Sequence, residues 1–290
     1  MSLLPPPAWL ERGRIPGLDG LRAIAVIMVM MAHACQTAGF PQFDLLTAIA
    51  SHGGVGVEIF FVISGFLITN LLLREIRRTQ RANLQAFYVR RSLRIFPACL
   101  CLLGTVFLVS QLGFATIPWR DWLAATTYTL NFVHRPAWEV GHGWSLSIEE
   151  HFYLLWPLLL LMLGTVRSGR VAIGCLVFCF SARWIVLFAY PEWTQMAELW
   201  TFTRLDTIAA GCLLALLASS DAWRDRLNRL CTFRGAVPVY IALLMLSVGL
   251  CDLSGKLSVG VGYSVNAILI ALLLWSVLTR ADSRLGQFLE

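Results

Sequence analysis

The chain has 290 residues, 58% hydrophobic and only 14% charged, with mean hydropathy +0.70 and a formal net charge of +6. A soluble domain carries about 25% charged residues, so this composition leaves too few polar side chains to coat a water-soluble globule, and it excludes disorder for the same reason. What remains is an all-α fold, a polytopic integral membrane helical bundle, with room for about eight to ten spans of about 20 residues each.

Residues 1–16 are Pro-rich and polar, without the pattern of a cleavable signal, and read as a cytoplasmic N-terminal tail ahead of a membrane domain over 17–290. Apolar stretches follow at 19–38, 54–74, 95–114, 146–166, 171–190, 201–219, 236–252 and 258–279, giving eight transmembrane helices. A weaker amphipathic stretch at 121–133, with Trp122 and Tyr128 among Thr and Asn, reads as one interfacial or re-entrant helix.

Lys256 is the only lysine among the 23 basic residues. With the N-terminus in the cytoplasm and eight alternating spans, the outside receives only Arg120, Arg135 and Lys256. Arg183 and Arg204 fall within outer halves of spans, and all the others lie inside. That bias fixes the expected orientation. The arginines sit between apolar blocks rather than on one soluble face, which argues against a nucleic-acid partner. The eight cysteines lie mostly in apolar runs and show no metal-ligand spacing, so no metal site is expected.

Ionisable residues inside spans are costly and mark function. In the first span, LDGLRAIAVIMVMMAHA, Arg22 and His33 are eleven residues apart, close to three whole turns, so they share a face about 16 Å apart along the axis. The second span, GGVGVEIFFVISGFLIT, has glycines at 53, 54, 56 and 65 suited to close packing, and a Glu58 that needs a partner: His33, Arg183 or Arg204. His52 at its mouth reads as solvated. In FYVRRSLRIFP, Arg90 and Arg94 are one helical turn apart. Arg91 and Arg94 run into the membrane segment, where guanidinium forks suit phosphate oxygens, and Pro97 bends or starts the span. Arg74 to Arg81 read as ordinary inside-loop charge. WSLSIEEHFYLLWP places Ser145 and Glu149 on one face, with Glu150 turned away and His151 next, and RLDTIAAG brings Arg204 and Asp206 as an ion pair or part of a polar mouth.

No GxSxG elbow, phosphate-binding glycine loop, HExxH or dinucleotide fingerprint is present. A transporter or flippase for a carbohydrate or anionic substrate could line its pathway with the same charges, although no pair of broken helices or inverted repeat is evident in the sequence.

Five ordered segments, LDGLRAIAVIMVMMAHA, GGVGVEIFFVISGFLIT, FYVRRSLRIFP, WSLSIEEHFYLLWP and RLDTIAAG, resemble the integral-membrane acyltransferase family 3, which includes O-acetyltransferases of bacterial surface polysaccharides. The resemblance implies transfer of an acyl group, usually acetyl from acetyl-CoA as co-substrate, to a hydroxyl of a cell-envelope or exported carbohydrate or glycolipid. It also implies a place in the bacterial inner membrane and no bound cofactor. It maps an arginine–histidine motif onto Arg22 and His33, an arginine pair onto Arg91 and Arg94, and a glutamate onto Glu149. On this reading His33 is general base or acyl carrier, and Glu149 orients its imidazole or stabilises the imidazolium. Arg22, Arg91 and Arg94 bind acyl-CoA, and Asp19, Glu58, Ser145, Glu150, Arg204 and Asp206 support the site. The family usually runs on for about two more helices, so the chain is expected to lack the last C-terminal ones.

Overall fold

A computed structural model describes residues 17–280 apart from 38, 42 and 43. The expected N-terminal tail therefore lies outside the described residues. Within them the secondary structure is entirely helical, and the main helices are α1 Leu18–Cys35, α2 Gly53–Thr79, α3 Leu84–Gln111, α4 Trp119–Thr126, α5 Trp138–Gly141, α6 Trp144–Ala189, α7 Thr201–Ala218, α8 Asp221–Cys231, α9 Ala236–Asp252 and α10 Tyr263–Leu278, with shorter helical segments at Asp44–Ala50, Pro191–Trp193, Thr194–Ala197, Gly255–Leu257 and Ser258–Gly262 in the connections. In hydrocarbon a backbone must satisfy its own polar groups, and helices do so within one segment.

Six of these stretches are long and apolar enough to cross a membrane, or seven if α8 and α9, bent by 79°, make one span. The sequence reading expects eight. The spans expected at 146–166 and 171–190 form one helical run, α6, of 46 residues. A straight helix of that length would reach about 69 Å, over twice the ~30 Å apolar core. It folds back instead at Gly164, whose φ of 71° and ψ of 175° are the only non-helical dihedrals in the run, and a φ of that sign favours glycine. His151 before the break and Arg183 after it both hydrogen-bond the first turn of α7, at the Thr201 hydroxyl and the Thr203 carbonyl. α6 is thus two arms embracing α7, which is why hydropathy reads it as two spans.

Two other boundaries move. α3 begins at Leu84, eleven residues before the expected start, with the Asn83 side chain accepting the Ala86 N–H at 2.9 Å. Pro97 lies inside it and does not start it. The 121–133 stretch resolves into α4 and a single 3-10 turn at Leu130–Phe132.

α7 is the hub, buried along nearly its whole length between α6, α2 and α10. It meets α2 backbone to backbone. A Cβ on Gly65 would collide with the Ile208 carbonyl, and one on Gly211 with the Val62 carbonyl. Gly53 and Gly56 similarly admit α1 at Ala32 and Ala25, while Gly54 faces open space and takes no part. With no hydrophobic drive between helices in lipid, such close approach is what holds spans together. All eight cysteines are free thiols, Cys35 and Cys251 included.

Candidate active site

Two helices facing each other build the first part of the site. One turn separates Arg74 from Arg78 on α2, and one turn separates Arg90 from Arg94 on α3, so each helix presents a guanidinium pair to its neighbour. Together with Arg91 they line a groove of about 490 Å³. Among the described residues the one acidic lining residue is Glu75, which lies 3.8 Å from Arg90 and accepts the Asn83 N–H at 2.9 Å. Five guanidinium groups thus face one carboxylate among the described lining residues.

At its membrane side the groove runs into a knot around Glu149. This carboxylate accepts from the Ser64 hydroxyl at 2.9 Å and the Tyr153 hydroxyl at 2.8 Å, and lies 3.7 Å from Arg91. The Arg91 guanidinium stacks on the Tyr153 ring, 3.4 Å from its centroid, which keeps it flat against α6. The Arg91 Nε is buried without a hydrogen-bond partner. Arg22 on α1 lies 3.6 Å from Asp19 and near enough to Arg94 and Glu149 for their charges to act on one another. Glu150 follows Glu149 on α6, with its Oε1 buried and without a hydrogen-bond partner among the described residues.

His33 sits elsewhere on α1, in its last turn, half-buried. Its ring meets Trp138 edge-on at 5.6 Å and His142 at 6.1 Å. The expectation that Glu149 orients this imidazole does not match the contacts. Both Glu149 oxygens are engaged by Ser64, Tyr153 and Arg91, because the carboxylate projects from α6 toward α2 and α3 rather than toward the end of α1. Ser145 lies one turn before Glu149 on α6, as expected, and its hydroxyl donates to the His142 carbonyl at 3.5 Å.

The remaining expected support residues form a separate, sealed cluster. Asp206 pairs with Arg183 at 2.7 Å, not with Arg204, and both accept or donate to Ser264. Arg204 lies 3.7 Å from Glu58, one of the three partners that the sequence leaves open, and stacks 3.6 Å over Tyr263. Residues 204 and 206 are about 200° apart around α7, so neighbours in sequence face opposite helices. His52 is not simply solvated: its Nε2 lies 2.9 Å from Asp252. Among the described residues no group of His, Cys, Asp and Glu could hold a metal.

The family model described as an acyltransferase domain, Acyl_transf_3, matches residues 15–289. The chain belongs to this acyltransferase family. The O-acetyltransferase OatA of Staphylococcus aureus NCTC 8325 is 37% identical over 220 residues, covering 70% of this chain and 34% of OatA, and OatA of strain MRSA252 matches to the same extent. The chain thus matches about a third of the length of these curated relatives. No solved structure matches it.

As an acyltransferase-family domain, the chain brings Arg22, Arg91, Arg94 and Glu149 into one neighbourhood and leaves His33 beyond it on the same α1 face. Sequence alone does not mark Arg74, Arg78 and Arg90 as groove residues, nor Ser64, Tyr153, Trp138 and His142 as site residues. Arg74 and Arg78 were legible in principle, since two arginine pairs at a four-residue spacing on consecutive helices can converge. Ser64 and Tyr153 carried no such signal, because a Ser in a glycine-bearing span and a Tyr in an apolar one are ordinary core residues.

Proposed function

We propose that this domain is a membrane O-acyltransferase that moves an acyl group, acetyl by the family's habit, from acyl-CoA to a hydroxyl of a cell-envelope or exported carbohydrate. The five-arginine groove between α2 and α3 carries this reading. A nucleotide with several phosphates needs several guanidinium forks that stay charged when partly desolvated, and the groove offers them next to α1. Glu149, Ser64 and Tyr153 hold Arg91 in place, and the free Arg91 Nε is left to a ligand. The positive-inside bias puts this end at the cytoplasm, where acyl-CoA is found, with the N-terminus on the same side of an inner membrane.

The pantetheine arm then covers the about 16 Å along α1 from Arg22 to His33. There the acceptor hydroxyl oxygen attacks the thioester carbonyl, the C–O bond forms and the C–S bond breaks. His33 takes the hydroxyl proton and returns it to the departing sulfur. In the covalent variant the His33 ring first receives the acyl group and then gives it to the acceptor. No cofactor is needed for either route. The match to an acyltransferase family model over residues 15–289 favours the enzyme over the transporter.

The test is mass spectrometry of envelope glycans from cells with and without the protein, alongside CoA binding to the purified chain. His33→Ala is expected to cut acyl transfer by about 10²–10⁴-fold, the usual range for a lost general base, while yield and CoA affinity hold. Retained transfer would remove His33 from the chemistry. Failure of the wild-type chain to bind CoA would remove the donor.

A further inference from the structure

We infer that Trp138 and His142 form the acceptor subsite: the Trp138 ring carries the apolar face of a pyranose, and His142 hydrogen-bonds the hydroxyl offered to His33. The inference rests on the acyltransferase reading above and adds to it where the carbohydrate sits. Trp138 and His142 are four residues apart across α5 and its C-cap, so they lie on one side of a single helical turn. Both rings approach His33 edge-on, at 5.6 and 6.1 Å, and neither lines the arginine groove. Both are exposed, Trp138 by 53%, so a polar molecule can reach them.

The turn that presents them is built as if its position matters. Asp121 on α4 is wholly buried, yet it spends its carboxylate on this loop, accepting the Ala137 N–H at 2.7 Å and the Arg120 Nε at 3.0 Å. A buried carboxylate is costly unless its hydrogen bonds are needed. Val140 and Leu130 are buried beneath the turn, and Gly143 lets it come so close that a Cβ there would lie 2.8 Å from the Leu130 side chain. An interfacial tryptophan that only touched headgroups would need none of this. A flat aromatic ring with a hydrogen-bonding imidazole beside it offers a sugar ring both an apolar face and a polar tip.

Trp138→Ala, Trp138→Phe, His142→Ala and His142→Gln are tested in the full protein, in cells lacking it. The O-acyl content of envelope glycans is read by mass spectrometry at matched membrane protein level, and CoA affinity is read on each purified variant. Trp138→Ala and His142→Ala are expected to lower acylation by about tenfold, the upper end for one aromatic contact or one hydrogen bond. Trp138→Phe and His142→Gln, which keep a ring and a hydrogen-bonding tip, are expected to retain most of it, with CoA affinity unchanged throughout. Wild-type acylation in both alanine variants would make Trp138 a headgroup anchor and overturn the subsite. Loss of CoA affinity in step with acylation would move the pair to the donor side and overturn it equally. Glycan acylation that is the same in cells with and without the wild-type protein would instead sink the transferase reading, a result separable from the other two.

Discussion

The molecule holds two clusters of arginine and carboxylate that differ in access rather than in chemistry. Around α7, Arg183 and Asp206 are 0% exposed, and Arg204 and Glu58 are each 3% exposed. Between α2 and α3, Arg91 and Glu149 keep 18% and 16% of their side-chain surface, and Arg90 keeps 65%. The sealed cluster spends its charges on other helices: Arg183 reaches Thr203, Asp206 and Ser264, tying α6, α7 and α10 together. The open cluster has five cations for one lining carboxylate and a groove in front of them. The sealed ion pairs tie helices together, whereas the excess of one charge with an entry is where the proposed donor site lies.

Breaking the sealed cluster should therefore cost folding and spare nothing downstream. Asp206→Ala leaves the Arg183 guanidinium buried without its counter-charge, which costs about 3–5 kcal/mol. The expected outcome is a large fall in the thermal midpoint in detergent and in membrane yield. The double change Arg183→Met with Asp206→Leu, which removes both charges at similar volume, is expected to recover most of that loss. A single Asp206→Ala chain as stable as its parent would mean that the pair does not tie the helices.

The contrast between the clusters also marks what the sequence could show. The spans were legible because lipid demands long apolar helices, and that demand is written locally in each stretch. The start of α3 was not, because residues 84–94 mix apolar side chains with three arginines, a serine and a glutamine, and only the later, more apolar part stands out by hydropathy. Which helices meet is not written locally at all. Arg204 next to Asp206 in sequence reads as a pair, yet the turn of α7 sends one to Glu58 on α2 and the other to Arg183 on the returning arm of α6. That arm exists as a neighbour only because the chain reverses at Gly164. His33 was found by its spacing from Arg22, whereas its neighbours Trp138 and His142 come from a loop whose path hangs on the buried Asp121.

On the open cluster the same kind of substitution should spare folding and weaken binding. Arg91→Ala removes a guanidinium that is stacked on Tyr153 and held by Glu149, so its charge-assisted bonds to phosphate, worth about 1.5–3 kcal/mol, are lost. That corresponds to about a ten- to hundredfold rise in KM for acyl-CoA with the thermal midpoint nearly unchanged. Arg91→Lys, which keeps charge and loses the fork, is expected to fall between the two. An effect on acceptor use alone would reassign this arginine.

The smallest effect is expected where charge is exposed and already paired. His52 Nε2 lies 2.9 Å from Asp252, joining the start of α2 to the end of α9, with side-chain exposures of 32% and 62%. Solvent screens such a pair, so its net worth is at most about 1 kcal/mol. Asp252→Asn keeps a hydrogen-bond acceptor for the ring and removes only the charge, so the thermal midpoint should move by no more than a few degrees, and less in high salt than in low. A shift as large as that of Asp206→Ala would mean that the mouth of α2 is shielded from water. The line between tying charges and accessible ones would then have to be drawn by partner rather than by exposure.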